Sequence, residues 1–129
     1  MVKTKRRHIN KNNKTKKNLT KNIIIDSNFE SGNIKLLAKK NNIIDLEIEN
    51  EPYPKSTKNK YQNWFYFKAS NLKNKKLKFT IHNIRNFDND WKGFNVCYSY
   101  DNKNWKRKTT KLIKNKLIWH FNSKKRTVY

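Results

Sequence analysis

The sequence predicts an all-β protein, an antiparallel β-sandwich of about eight or nine short strands behind a disordered basic tail. Three observations carry that prediction. No stretch sustains a helical period, and short runs of alternating apolar and polar residues recur between turn signals. Near the middle of the chain four aromatics stand in a row, Trp64-Phe65-Tyr66-Phe67, in a sequence otherwise dominated by lysine and asparagine. A strand turns alternate side chains to opposite faces, so Phe65, Phe67 and Ala69 share one face and Trp64 and Tyr66 the other. Aromatics on both faces ask for cover on both, which suits a central strand better than an edge.

At 129 residues the chain is one domain's worth, and its charge is +23, from 32 Lys+Arg against 9 Asp+Glu. A balance this basic points to nucleic acid, an anionic surface or an acidic protein as partner. The basic residues are 27 Lys and only 5 Arg, beside 22 Asn and 12 Ile. Lys, Asn and Ile rise together when the coding sequence is AT-rich, so solvated surface explains the same charge without function. Scarce arginine also argues against base reading, which favours the bidentate guanidinium. With one cysteine, Cys97, no internal disulfide can form, and the longest apolar runs are strand-sized. The expected setting is soluble and cytoplasmic, with no membrane partner.

Residues 1–22 hold nine basic residues and no acidic one. They read as a solvated tail, through which nucleic acid could be bound. The folded domain is expected over 23–129. Ile23–Asp26 begins it as a short β-branched strand, followed by a turn at 26–28 and Phe29-Glu30-Ser31-Gly32-Asn33, which contains one of only two glycines. So scarce a glycine implies a backbone need, either positive φ or close approach. Ile34–Ala38 is the next strand. In 43–49, Ile44, Leu46 and Ile48 alternate with Asp45, Glu47 and Glu49, whose carboxylates are expected to pair with lysines across the sheet. Both prolines fall in the loop 50–60. After the aromatic strand, 76–83 alternates with Leu77, Phe79 and Ile81 inward, and 84–92 is loop. Residues 93–100 and 105–107 form strands around the turn Asp101–Asn104, and 112–113, 117–121 and 127–129 supply the last ones.

No catalytic constellation is visible. His8 lies in the tail, and His82 and His120 occupy the polar phase of their strands. No H-x-x-E, H-E-x-x-H or C-x-x-C spacing occurs, and two isolated glycines make no phosphate loop. Cys97, in mid-strand, reads as a small buried hydrophobe. Aromatics among lysines also suit a platform for single-stranded nucleic acid, but most of them fall in register with apolar neighbours, as a core requires.

The order of specific motifs goes further. Asn28-Phe29-Glu30-Ser31-Gly32-Asn33, Trp64-Phe65-Tyr66-Phe67-Lys68-Ala69-Ser70-Asn71, Phe79-Thr80-Ile81-His82-Asn83, Trp91-Lys92-Gly93-Phe94 and Ser99-Tyr100-Asp101 with Trp105 and Arg107 follow one another in the chain. Together they resemble the N-terminal domain of the cytosolic carboxypeptidases, the branch of M14 metallocarboxypeptidases that includes the tubulin deglutamylases. One departure is Asn63, where that family has glutamine; Gln62 stands one place early. The resemblance implies a non-catalytic accessory β-sandwich that packs beside a zinc peptidase domain. Zinc and the catalytic residues would belong to that absent domain, so this chain is expected to hold no cofactor and, as a fragment or remnant, to be inactive alone. It further implies partnership with an M14 peptidase domain in cis or in trans, and an acidic substrate such as glutamylated tubulin. Glu30, Ser31 and Asn33, with the outward Trp64 and Tyr66, are the candidate interdomain contacts. A stand-alone basic module that binds nucleic acid or protein is the alternative.

Overall fold

The computed structural model describes residues 22–50, 64–84 and 91–129. The tail expected over 1–22 and the loops expected at 50–60 and 84–92 fall largely outside these residues.

The apolar phase of each alternating segment becomes the core. In β3 (Ile43–Glu47) and just beyond it Ile44, Leu46 and Ile48 are buried; in β5 (Lys76–Ile81) Leu77, Phe79 and Ile81 are buried; in β9 (Lys116–Asn122) Leu117, Trp119 and Phe121 are buried. Burying a side chain of this size stabilises by about 1.5–3 kcal/mol, so these three strands supply much of the driving force for folding. They lie together in one five-stranded layer. It is completed by β2 (Lys35–Lys40) and β8 (Lys111–Ile113) at its edges, in the order β2-β3-β5-β9-β8.

The second layer is built from shorter pieces. β1 (Ile24–Asp26) and β10 (Thr127–Val128) flank β4 (Lys68–Ser70). β6 (Val96–Tyr98) pairs with β7 (Lys106–Lys108). Reciprocal backbone bonds between Ser99 and Tyr129, at 3.0 and 2.8 Å, join the two pieces, so the layer runs β1-β4-β10-β6-β7. Aromatic contacts lock the layers face to face: Phe67 against Phe79 at 6.0 Å, Phe65 against Trp119 at 6.1 Å and Tyr98 against Phe121 at 4.8 Å between ring centroids. At the far side the Lys39 ammonium bonds the Ile23 carbonyl, tying β2 to the segment that enters β1.

The all-β class is as expected, with four differences in detail. The described residues contain ten strands rather than eight or nine. β3 and β5 run parallel, with Ile44 opposite Phe79, because a connection separates them instead of a hairpin. The aromatic row is not itself regular strand: only 68–70 carry the ladder, while Tyr66 makes an isolated reciprocal bridge with Asn33. The segment is central, between β1 and β10, as its two-sided aromaticity suggests. Finally, Cys97 is exposed. Its neighbours Val96 and Tyr98 take the inward phase of β6, which leaves Cys97 the outward one.

The carboxylates of β3 find two different partners. Glu47 meets Lys35 directly across the β2–β3 pair at 3.4 Å, whereas Asp45 bonds the His82 ring at 2.7 Å.

Candidate functional site

The two glycines meet the two backbone needs separately. A Cβ on Gly32 would stand 1.9 Å from the Ser27 carbonyl oxygen, so this turn closes only on glycine. Gly93 has φ +74° and open space around it; its need is the left-handed conformation, in a turn closed by the Phe94 N–H on the Trp91 carbonyl at 3.2 Å.

The tight turn at Gly32 positions the residues that the sequence singles out. Ser31, itself at φ 64°, turns its carbonyl to the Trp64 indole N–H at 3.2 Å. Asn33 exchanges backbone bonds with Tyr66 at 2.8 and 3.1 Å. Its side chain is buried at 4 % exposure and its amide donates to the carbonyls of Glu49 and Trp64 while its Oδ1 accepts the Glu49 N–H. Ser31, Asn33, Trp64 and Tyr66 thus form one cluster, with Glu30 exposed at its rim. Asn33 is spent inside the domain and holds the others from beneath.

Above this clamp the outward aromatics are half-buried. Tyr66 packs edge-on against Phe29 at 4.9 Å and against Trp105 at 6.1 Å, and its hydroxyl donates to the Asn102 side chain at 2.6 Å. Trp105 remains 45 % exposed. Beside them the described residues leave an open groove of about 710 Å³, lined by Phe65, Trp91, Phe94, Val96, Trp105 and Tyr129 among others. Phe65 stacks on Trp91 at 6.2 Å and meets Phe94 edge-on at 6.3 Å within it. The lining is mostly aromatic and aliphatic, with Cys97 and Lys108 as its polarisable and charged members.

Asparagine 83, the last residue of its motif, was not a candidate, yet it does what Asn33 does. Its side chain accepts the Ile48 N–H and donates to the Ile48 carbonyl, both at 2.8 Å. Two asparagine amides therefore replace missing strand neighbours along residues 48–49. The Ser99–Asp101 motif is likewise turn chemistry. The backbone N–H groups of Asn104 and Lys103, then the side chains of Asn104 and Ser99, hold the Asp101 carboxyl well below the usual carboxylate range.

Among the described residues no three His, Cys, Asp or Glu side chains come together as a metal site. His82 and Asp45 form a pair without a third ligand, and His120 is exposed. Nor is any helix of the described residues long and apolar enough to cross a membrane.

Comparison with known proteins agrees with this architecture. The fold resembles part of a metallo-carboxypeptidase from Burkholderia cenocepacia, with TM-score 0.73 and 18 % identity, over 83 % of this chain and 28 % of that one. A metallo-carboxypeptidase from Pseudomonas aeruginosa, solved in complex with (2-guanidinoethylmercapto)succinic acid, matches with TM-score 0.66 and 23 % identity, over 81 % of this chain and 28 % of that one. The chain thus spans little more than a quarter of the length of these structures. A search of the curated proteins finds no match. The family model described as cytosolic carboxypeptidase N-terminal domain matches residues 25–129, and the chain belongs to that family.

Proposed function

We propose that this chain is the non-catalytic accessory module of a zinc metallocarboxypeptidase, and that it docks a peptidase domain of the M14 type through the aromatic groove and its lip. Glu30, Ser31, Trp64 and Tyr66 form the contact, with Asn33 holding the lip in shape. The observation that carries this reading is the extent of the likeness: over four fifths of the chain corresponds to 28 % of two metallo-carboxypeptidases, so the same fold sits there inside a larger enzyme. The aromatic groove supports it through its lip, where Trp105 stays 45 % exposed beside the half-buried Trp64 and Tyr66.

The parent enzyme removes C-terminal or side-chain glutamates from proteins such as tubulin, in the cytoplasm. Zinc and the residues that work on the scissile bond belong to the peptidase domain. The contribution of this chain is to support that domain and to shape the approach to its groove.

Co-expression with an M14 peptidase domain from the same genome, followed by size-exclusion chromatography, tests the docking. The expected result is co-elution as a complex that Glu30→Arg weakens. Separate elution of two folded proteins would overturn it.

A further inference from the structure

The two layers end on the same side in lysine. β7 is the edge of one layer and β8 the edge of the other, and only Thr109 and Thr110 separate them in the chain. The stacking of β6 on β9 through Tyr98 and Phe121 places their outer neighbours, β7 and β8, side by side. From Lys103 to Lys116 this side carries Lys103, Lys106, Arg107, Lys108, Lys111, Lys114 and Lys116, and no Asp or Glu follows Asp101 in the sequence. Five of the other acidic residues, Asp26, Glu30, Asp45, Glu47 and Glu49, lie in or around β1–β3 at the opposite side. Among the described residues every side-chain carboxylate except that of Asp101 therefore lies toward the β1–β3 side, where Lys35, Lys39 and Lys40 of β2 stand among them. A uniform excess of lysine codons raises the basic count everywhere but does not sort the carboxylates to one end.

We infer that the β7–β8 side is a binding edge for an extended acidic peptide segment. Two features choose a peptide over other polyanions. Both strands present an outer edge that no strand among the described residues pairs with, and free backbone N–H and C=O groups are useful to a polypeptide that adds as a further strand. Trp105 is the one aromatic between Lys103 and Lys116, and it stands at the head of β7 against Tyr66 at 6.1 Å, so nucleobases would find a single ring and no row of them to stack on. Lysines at an edge also discourage pairing between like copies, and the same charge selects an acidic strand over a neutral or basic one. Lys106, Lys111, Lys114 and Lys116 are all exposed and free to meet carboxylates, while Arg107 reaches the Asn95 carbonyl at 3.3 Å.

The test is fluorescence anisotropy of a labelled glutamate decapeptide titrated with the full chain, in the absence of any peptidase domain. A failure here is thereby distinct from a failure of the docking proposed above. Two charge-matched variants are compared, Lys106→Glu/Lys111→Glu/Lys114→Glu/Lys116→Glu on the edge and Lys73→Glu/Lys76→Glu/Lys124→Glu/Lys125→Glu around the β4–β5 connection, whose lysines are also exposed. Circular dichroism first establishes that both fold. The expected result is that the edge variant loses affinity by about tenfold or more while the control keeps most of it. A peptide alternating glutamate with proline, which cannot complete a strand ladder, should bind far more weakly than the glutamate decapeptide. Equal loss in both variants would overturn the inference by reducing it to net charge. Equal binding of the proline peptide would overturn strand addition, and tighter binding of a single-stranded oligonucleotide that the edge variant abolishes would assign the edge to nucleic acid instead.

Discussion

At the scale of single residues, the domain depends on side chains that substitute for backbone. Asn83 satisfies both polar groups of Ile48, and Asn33 ties Glu49 to Trp64. Asn83→Ala should cost about 1–3 kcal/mol for each backbone group it strands, read as a lowered denaturant midpoint at unchanged slope. The glycines make a sharper comparison. Gly93→Ala meets no neighbour and suffers only its φ, for a cost of roughly 1 kcal/mol, whereas Gly32→Ala drives a methyl into the Ser27 carbonyl and should cost roughly 3 kcal/mol or more. A thermal melt of the two proteins orders them directly. The sequence shows that glycine is scarce and therefore needed; it does not show which need applies where. It hides the asparagines more thoroughly, because with 22 of them no single one stands out as a clamp.

At the scale of elements, apolar alternation revealed β3, β5 and β9, since period two with a buried phase is the strongest strand signal available. The same pattern is silent on direction, which is why the parallel pairing of β3 with β5 was not legible. The exposure of Cys97 was legible and was missed: Val96 and Tyr98 already claim the inward phase. Turn chemistry is partly readable. Asn41 and Asn42 both take positive φ between β2 and β3, as asparagine tolerates. Lys114 and Asn115 do the same between β8 and β9, with lysine where glycine or asparagine is usual. Lys114→Gly should relieve that conformation and stabilise by roughly 1 kcal/mol, observed as a raised denaturant midpoint.

The Asp101 loop gives the fold a pH dependence. Its carboxyl is held below the ordinary value of about 3.9, so the stability it contributes is present above that pH and is lost as pH falls toward its folded pKa. Chemical denaturation at neutral pH and near pH 3 should therefore show less loss on acidification for Asp101→Asn than for the parent protein. An identical loss would mean that the loop bonds do not favour the charged form.

At the scale of the whole molecule, the two layers differ in what they leave in view. The inward phase of β3, β5 and β9 is buried, while Leu36, Leu37, Ile43 and Ile113 of the same layer are exposed. The layer of β4 and β6 keeps Trp64, Tyr66 and Trp105 in partial view beside an open aromatic groove. The aromatic row at 64–67 faces both ways, with Phe65 and Phe67 packed on the core and its other two aromatics turned to the outer face. Its prominence in the sequence corresponds to a central place in the fold, leading into β4, which lies between β1 and β10. What lay beyond reach was the partnership of that row with the Ser31–Asn33 turn across thirty residues, because contacts so distant in sequence leave no local pattern.

Docking of a peptidase domain on this outer face is tested most directly by amide hydrogen exchange measured with and without that domain. Slowed exchange is expected at residues 29–33 and 64–67 in the complex, with β2 unchanged. Complex formation with these two segments unprotected, and protection elsewhere, would contradict it.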